Sequence, residues 1–497
     1  MSKVYLVGAG PGDPELLTLK GRRVLSLADS VLYDHLAPES LLDLAPPNAE
    51  RVYVGKKRSN HEFTQQEICS MLIERARRGL TVVRLKGGDP FIFGRGGEEV
   101  EALADAGIPF EVVPGVTTPL GIAAYCGVPL THREHTSVVT FLTGHDPDAI
   151  DWAKVGGSET LVFFMSLTTI GAIVERLIAA GRAPDTPALA VRWATRPDQR
   201  SVMAPLLELP GRIAQCGLKP PATIIVGEVV RLREKLDWFE RLPLFGQRIV
   251  VTRAAGQAAE LSHKLRGLGA EAIELPAIEI HPPSDPGPLD AAITGLDAYD
   301  WVIFTSVNGV RYFLERLDAS RRDLRALRAR ICAIGPATAR MLESLHLKVD
   351  LMPERYVAES LVEAFAGEEL EGRRILLPRA AVARDVAPES LRRRGATVDV
   401  VEAYRTEAAR IDPERLSRAF HPKPSWIAFT SSSTVKHFLQ ATGAALLEGV
   451  RVASIGPVTS ETLRQYGLEV HAEAREYTID GLVAAIVEGH RAGGAAL

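Results

Sequence analysis

Apolar residues along this chain come in short runs, each closed by glycine, proline or threonine and followed by a longer stretch with helical spacing. Val4-Tyr-Leu-Val7 is the first run, ended by Gly8-Ala-Gly-Pro-Gly-Asp-Pro14 and followed by helix-like positions from Leu16 to Leu27. Leu80-Thr-Val-Val83 is β-branched and reads as a strand. Beyond it, Val100, Leu103 and Ala104 repeat at helical spacing, which predicts a helix that begins near Arg95. A third run ends at Val113, before Pro-Gly-Val-Thr-Thr-Pro-Leu120 and another helix start. Three turns after successive strands predict one cleft at the carboxyl ends of a sheet.

The second half repeats itself. Arg248-Ile-Val-Val-Thr-Arg253 returns as Arg374-Ile-Leu-Leu-Pro-Arg379, and Gly269–Pro276 returns as Gly395–Glu402, both at an offset of 126. Phe304-Thr-Ser306 returns as Phe429-Thr-Ser431 at 125, and Ala333-Ile-Gly-Pro336 as Ser454-Ile-Gly-Pro457 at 121. Each copy alternates short strands with helical segments such as Ala258–Leu268 and Leu391–Arg394. That order builds a parallel sheet covered on both faces, and a period so long indicates two related α/β lobes rather than a solenoid.

Composition narrows the class. A chain of 497 residues is too long for one ordinary domain, and 46% hydrophobic with 24% charged residues is ordinary globular chemistry. A net charge of −4 gives no reason to expect nucleic acid. No apolar run approaches membrane-spanning length, and the N-terminus enters a strand without a charged and then apolar leader. Cys69, Cys126, Cys216 and Cys332 lack paired metal-ligand spacing, so neither a metal nor a disulfide framework is expected, and the compartment is the cytoplasm.

The turns carry the chemistry. Arg84-Leu-Lys-Gly-Gly-Asp-Pro-Phe-Ile-Phe-Gly-Arg-Gly-Gly-Glu-Glu99 packs five glycines into sixteen residues after a strand, a composition that lets backbone approach a ligand. The first turn reads G-x-G-x-G with Pro11 and Pro14, not the G-x-G-x-x-G of a pyrophosphate loop, which disfavours a nicotinamide oxidoreductase. In the second half, Thr305-Ser306, Thr430-Ser431, Gly335-Pro336 and Gly456-Pro457 each end a strand and open a helix. Hydroxyls and free N–H groups there serve as N-caps or, facing one another across two lobes, as sites for a polyanion.

The Val7–Asp13 turn, the Arg84–Glu99 run, Val113–Thr118 and Gly127-Val-Pro-Leu-Thr-His-Arg133 together resemble uroporphyrinogen-III C-methyltransferase, of the tetrapyrrole methylase family. The likeness runs from about residue 3 to Trp238 and includes Pro221-Ala-Thr-Ile-Ile-Val-Gly-Glu228. It implies S-adenosylmethionine as cofactor, with S-adenosylhomocysteine as product, and places Pro11, Gly87, Gly88, Asp89, Ile92, Thr117, Thr118, Met165, Ala194, Thr195 and Ala222 around it. Arg192-Trp-Ala-Thr195 departs from the family, which favours a glycine there. The resemblance also implies Asp34 as proton acceptor and Lys56 as donor, with His35 a rival by its pKa. Arg84, Arg95 and Arg133 lie inside the signature turns and are expected to hold substrate carboxylates; Arg51, Lys57 and Arg58 cluster beside Lys56.

From about Phe245 the chain resembles uroporphyrinogen-III synthase. That likeness implies no cofactor, Tyr404 as the group assisting departure of a hydroxyl, and Thr305, Ser306, Gly335, Thr338, Thr430, Ser431, Gly456 and Thr459 along the substrate. The expected fold is α/β, a two-lobed methylase over 1–242 (lobes about 1–118 and 119–242) and a two-lobed, duplicated flavodoxin-like parallel-sheet synthase over 245–497. Arg231–Phe245 reads as a short charged tether. The implied activity is bifunctional, from hydroxymethylbilane to uroporphyrinogen III to precorrin-2, in a homodimer formed through the first half. A methylase for a later corrinoid, with a synthase-like half that only binds, is the alternative.

Overall fold

Strands β1 (Val4–Gly8), β2 (Ser30–Tyr33), β3 (Glu50–Tyr53), β4 (Val82–Lys86) and β5 (Phe110–Val113) form a wholly parallel sheet in the order β3-β2-β4-β1-β5. Their apolar runs are continuous because helices cover both faces; Val4, Leu6, Val7, Val82, Val83 and Leu85 are all buried. Since β4, β1 and β5 are neighbours, the three glycine turns that follow them emerge side by side. The structure is a computed structural model that describes residues 3–55, 63–353, 358–382 and 386–494. It divides into two units, Met1–Gly246 and Gln247–Leu497.

The helix expected near Arg95 runs Gly96–Asp105, with Arg95 itself as N-cap at φ 56°. The first apolar run leads into a shorter helix than its spacing suggests. Thr18 accepts a hydrogen bond from the Gly21 N–H, so the helix is restricted to Leu19–Leu25.

The second lobe of this unit contains β6 (Val139–Thr143), β7 (Thr160–Phe164), β8 (Pro187–Arg192), β9 (Arg200–Pro205) and β10 (Ala222–Val226), in the order β6-β7-β10-β8-β9. Only β6 and β7 pair in parallel; β10 is antiparallel to both neighbours, and β8 to β9. The β8–β9 connection, residues 193–199, is too short for a crossover, so these strands must pair antiparallel.

Arg231–Phe245 is not a free tether. Arg233, 8% exposed, donates to the Cys126 carbonyl, Ser201 and Glu240, and Trp238 donates to the Ala124 carbonyl at 2.8 Å. Phe239 packs between Tyr125 and Phe245, and Leu244 is fully buried. The segment belongs to the first unit, whose end falls at Gly246 rather than 242.

In the second unit, β11 (Arg248–Val251), β12 (Glu271–Glu274), β13 (Ile278–His281), β14 (Trp301–Phe304), β15 (Arg330–Ala333), β16 (Arg374–Ala380), β17 (Thr397–Ala408), β18 (Trp426–Phe429), β19 (Arg451–Ser454) and β20 (Ala472–Glu473) form two five-stranded sheets. Their orders are β12-β11-β18-β19-β20 and β13-β17-β16-β14-β15, parallel apart from β13 against β17. The sequence copies are therefore not the lobes. Copy one supplies β11-β12 to the first sheet and β14-β15 to the second; copy two supplies β16-β17 to the second and β18-β19 to the first. The long β17 pairs with β13 over Ile278–His281, where the chain passes from one lobe to the other. Each sheet changes direction between strands from different copies, at β11/β18 and β16/β14, and crevices form at such points.

Candidate active sites

The glycine turns of the first unit meet backbone to backbone. Gly10 and Gly88 exchange hydrogen bonds, Gly10 N–H to the Gly88 carbonyl at 3.2 Å and Gly88 N–H to the Gly10 carbonyl at 2.8 Å. A Cβ on Gly8 would stand 2.6 Å from both Gly115 and the Gly88 carbonyl, and one on Gly115 would come closer still to that carbonyl. Gly88 has φ 64°, a conformation that favours glycine. Asp89 locks the arrangement, since Oδ1 accepts from Phe91 N–H at 2.8 Å and Oδ2 from Gly115 N–H at 3.0 Å. Its carboxylate thus shapes the turn.

Other expected cofactor residues collect around this cradle. Gly87 lies against Leu36, and Thr117 and Thr118 lie beside Gly88. Pro11 packs on Gly121 next to the Thr195 methyl, and Thr195 Oγ1 accepts from Asp13 N–H at 2.8 Å. Ala194 faces Gly12, and Ala222 pairs with Arg192 at the start of that same turn. Ile92, in the glycine-rich turn, and Met165, after β7, expose 37% and 54% of their surface. Phe93, Arg95, Trp193 and Thr195 all have positive φ in these turns, which concentrates backbone strain here.

Asp34 follows β2 and is held from β4. Arg84 Nη2 donates to Asp34 Oδ2 at 3.1 Å, Nε to Glu99 Oε1 at 3.3 Å and Nη1 to the Leu85 carbonyl at 3.0 Å. Lys86 Nζ and Gln65 Nε2 also donate to Glu99 Oε1. Burial draws the Lys86 ammonium below its ordinary pKa, Arg84 adding to the effect and Glu99 opposing it. Arg84 is 4% exposed with every guanidinium nitrogen engaged within the protein, an arrangement that favours positioning Asp34 over the expected hold on a substrate carboxylate. Arg95 is exposed and paired with Glu98; Arg133 is exposed on a turn closed by His132 and Thr136. His35 meets Trp193 edge to face at 6.0 Å. Lys56, Lys57 and Arg58 lie outside the described residues.

In the second unit, Tyr404 is 8% exposed and 3.0 Å from Ser306 Oγ. Burial raises its phenolic pKa, and interaction with the Ser306 and Asn308 side chains pulls it partly back. Ser306 caps the helix Val307–Ala319 and Ser431 the helix Ser432–Thr442 through their side chains. Thr305 and Thr430 are half-buried at the two sheet crevices. A cavity of about 200 Å³ is lined from both lobes, by Arg253, Gly335, Pro336, Arg340, Ile455 and Tyr477. It joins the Gly335 turn to the one preceding Gly456, against which the Tyr477 ring packs. Thr338 and Thr459 are 3% and 4% exposed, turned inward on their helices, and the Thr459 N–H already donates to the Gly456 carbonyl at 3.1 Å.

Glu99, Lys86, Arg253 and Asn308 stand beside the candidate sites, and sequence reasoning passes over them. A signal existed for three. Glu99 and Lys86 stand inside the glycine-rich run, and Arg253 closes the repeated segment that returns as Arg379.

A family model described as tetrapyrrole (corrin/porphyrin) methylases matches residues 3–210, and one described as uroporphyrinogen-III synthase HemD matches residues 259–484. The porphyrin biosynthesis protein HemD of Ruminiclostridium josui is 37% identical over 499 residues, covering 98% of this chain and 97% of that protein. A siroheme synthase of Stutzerimonas stutzeri (strain A1501) is 51% identical over 244 residues, 48% of this chain and 52% of the relative. This chain therefore spans about half of that siroheme synthase. A crystal structure of uroporphyrin-III C-methyl transferase from Thermus thermophilus, complexed with S-adenyl homocysteine, is 46% identical, with a TM-score of 0.41, covering 46% of this chain and 100% of that one.

Proposed function

Because the chain belongs to the family that joins a tetrapyrrole methylase to a uroporphyrinogen-III synthase, we propose that it makes and then methylates one intermediate. The protein is a bifunctional enzyme of tetrapyrrole biosynthesis. Its second unit cyclises hydroxymethylbilane to uroporphyrinogen III, and its first transfers methyl groups to C2 and C7 of that product, giving precorrin-2. The observation that carries this reading is the convergence of three glycine turns beside an Arg84-held Asp34, within one chain with the Tyr404 cleft.

The cradle fits S-adenosylmethionine. Gly8 and Gly115 stand where a Cβ would intrude on neighbouring backbone, Gly88 holds a positive φ, and exposed Met165 and Ile92 offer apolar cover. When bound there, the cofactor supplies a methyl group on a sulfonium. The chain aligns the pyrrole carbon with that methyl, and proximity is the main lever in such a transfer. Asp34 accepts the ring proton released as the new carbon–carbon bond forms, and Arg84 keeps its carboxylate oriented.

In the second unit, the Tyr404 proton joins the departing hydroxyl, the C–O bond breaks towards oxygen, and water leaves. The pyrrole nitrogen supports the resulting methylene cation, which attacks the terminal ring through a spiro intermediate. The proton lost as the macrocycle regains its pyrroles restores the phenol. Arg253, Arg340 and the helix starts after Gly335 and Gly456 hold carboxylates while the chain folds around the substrate.

Unpaired thiols at all four cysteines, and the lack of any helix among the described residues long and apolar enough to cross a membrane, support action in the cytoplasm. A homodimer through the first unit is supported by exposed Leu120 and Trp238, which flank Ala124. The test is incubation with hydroxymethylbilane, with and without S-adenosylmethionine, followed by product identification. Uroporphyrinogen III without the cofactor and precorrin-2 with it are expected. Methylation only of a later corrinoid, or no cyclisation, overturns the reading.

A further inference from the structure

Glu99 closes the glycine-rich run on itself. It stands in the first turn of the helix Gly96–Asp105, at the far end of the run that Arg84 begins. Its side chain is 0% exposed, and Oε1 accepts from Lys86 Nζ at 2.8 Å, Gln65 Nε2 at 3.0 Å and Arg84 Nε at 3.3 Å. The first and last of these donors lie on β4, the other on the helix Gln65–Arg77. Glu99 Oε2 is buried as well and has no hydrogen-bond partner among the described residues.

An acidic residue in the first turn of a helix ordinarily serves the helix dipole. Glu99 departs from that pattern. A carboxylate that only offset its own burial would divide its donors between both oxygens, since a bare polar atom in the interior is costly. Three donors on one oxygen fix where that oxygen lies. Arg84 depends on it most, and the sense of its bonds is set by chemistry, because a guanidinium only donates. Nε meets Glu99, Nη1 the Leu85 carbonyl and Nη2 Asp34, so three partners hold the guanidinium plane. Glu99 itself is too deeply buried to touch a ligand. Any influence it has on turnover must pass through the groups it holds.

We infer that Glu99 is a positioning residue for methyl transfer, acting through Arg84 to hold Asp34 where it receives the ring proton. This role rests on the reading of Asp34 as proton acceptor. Lys86 offers the competing route, since it leads directly into the Gly87-Gly88 turn; an effect by that route would appear in the affinity for S-adenosylmethionine.

The experiment is a double-mutant cycle in the full-length protein. Glu99→Gln keeps the shape and one acceptor oxygen but removes the charge that gathers the donors. Single-turnover methylation of uroporphyrinogen III is measured for the wild type, Glu99→Gln, Asp34→Asn and the pair, with thermal midpoints and calorimetric affinities for both ligands. With Asp34 present, Glu99→Gln should slow methyl transfer about tenfold or more and leave both affinities little changed. In the Asp34→Asn protein the same change should cost less than about twofold, because no base is left to misplace. A purely structural role predicts the same factor in both backgrounds, and that result overturns the inference. So does a loss confined to the affinity for either ligand. In both cases a slow Asp34→Asn protein leaves the reading of Asp34 intact. If Glu99→Gln does not fold, Lys86→Met with Glu99→Gln removes a cation together with the anion, and the same comparison decides. Wild-type turnover by Asp34→Asn overturns the reading of Asp34, and this inference with it.

Discussion

Arg84 Nη2 lies 3.1 Å from Asp34 Oδ2, from a site that is 4% exposed and braced on its far side by Glu99. The arginine cannot swing away, so Asp34 inherits a fixed direction from the core of the sheet. Arg84→Met should release Asp34, lowering kcat for methyl transfer about tenfold or more with the KM of both substrates little changed. It also leaves buried Glu99 with Lys86 as its only cation among the described residues, which should destabilise the first unit by about 3 kcal/mol. A raised KM for uroporphyrinogen III with an unchanged kcat would instead make Arg84 a substrate-binding residue.

Asp34→Asn keeps the shape of the side chain and removes its basicity. Both ligands should still bind by calorimetry, while methyl transfer slows by the ~10²–10⁴ typical of a lost general base. Unchanged turnover would move the role to His35, which faces Trp193 across the same lobes.

Gly115→Ala tests the cradle. The added Cβ meets backbone at Gly8 and Gly88, which cannot yield as a flexible side chain does. Affinity for S-adenosylmethionine should fall at least about tenfold, the turn being forced apart at its closest approach. Gly97→Ala, in the same glycine-rich run but with nothing within 4 Å of the new Cβ, should bind normally. Equal affinities in the two variants would remove the cradle from the cofactor site.

Much of this was legible in the sequence because it is local. A strand, its closing turn and the following helix start are neighbours in the chain, so Gly8–Asp13, Arg84–Glu99 and Val113–Thr118 could be read directly. What was hidden depends on distant pairing. Nothing near Arg84 shows that Asp34 will stand opposite, because β2 and β4 become neighbours only when the sheet forms. The exchange of strand pairs between copies was hidden for the same reason, since the repeat shows which segments are alike and not which ones pair. Charge in Arg231–Phe245 suggested a short tether, yet Arg233 is buried and donates hydrogen bonds to Cys126, Ser201 and Glu240.

Those contacts decide where the chain can be divided. A break between Gly246 and Gln247 should yield two soluble proteins, each with its own reaction. A break at Leu242 strips Leu244 and Phe245 from the first unit; losing the fully buried Leu244 alone costs about 1.5–3 kcal/mol of apolar burial. The 1–242 fragment should therefore melt earlier than 1–246 by differential scanning calorimetry. Identical midpoints would restore the segment to its reading as a tether.

Tyr404→Phe is the most discriminating change in the second unit. Hydroxymethylbilane closes unaided, but without inversion of its last ring, giving the type I isomer. The enzyme must speed departure of the hydroxyl and also hold the terminal ring for attack at the inverting carbon. Holding is shared among Arg253, Arg340 and several helix starts, so Thr305→Ala and Thr430→Ala should have modest effects while backbone donors remain. On the proposed mechanism, departure depends on the single phenolic proton, which burial keeps in place by raising the pKa of Tyr404. The wild-type rate should therefore show no loss from this group up to about pH 9, since a raised pKa keeps the acid form populated there. Tyr404→Phe should lower the synthase rate by about tenfold or more and let the type I isomer accumulate. Methylation of supplied uroporphyrinogen III should stay normal, which separates loss of this proton from loss of the fold. Full type III formation by the variant would show that Arg253, Arg340 and the backbone donors suffice, and that the Tyr404 proton takes no part.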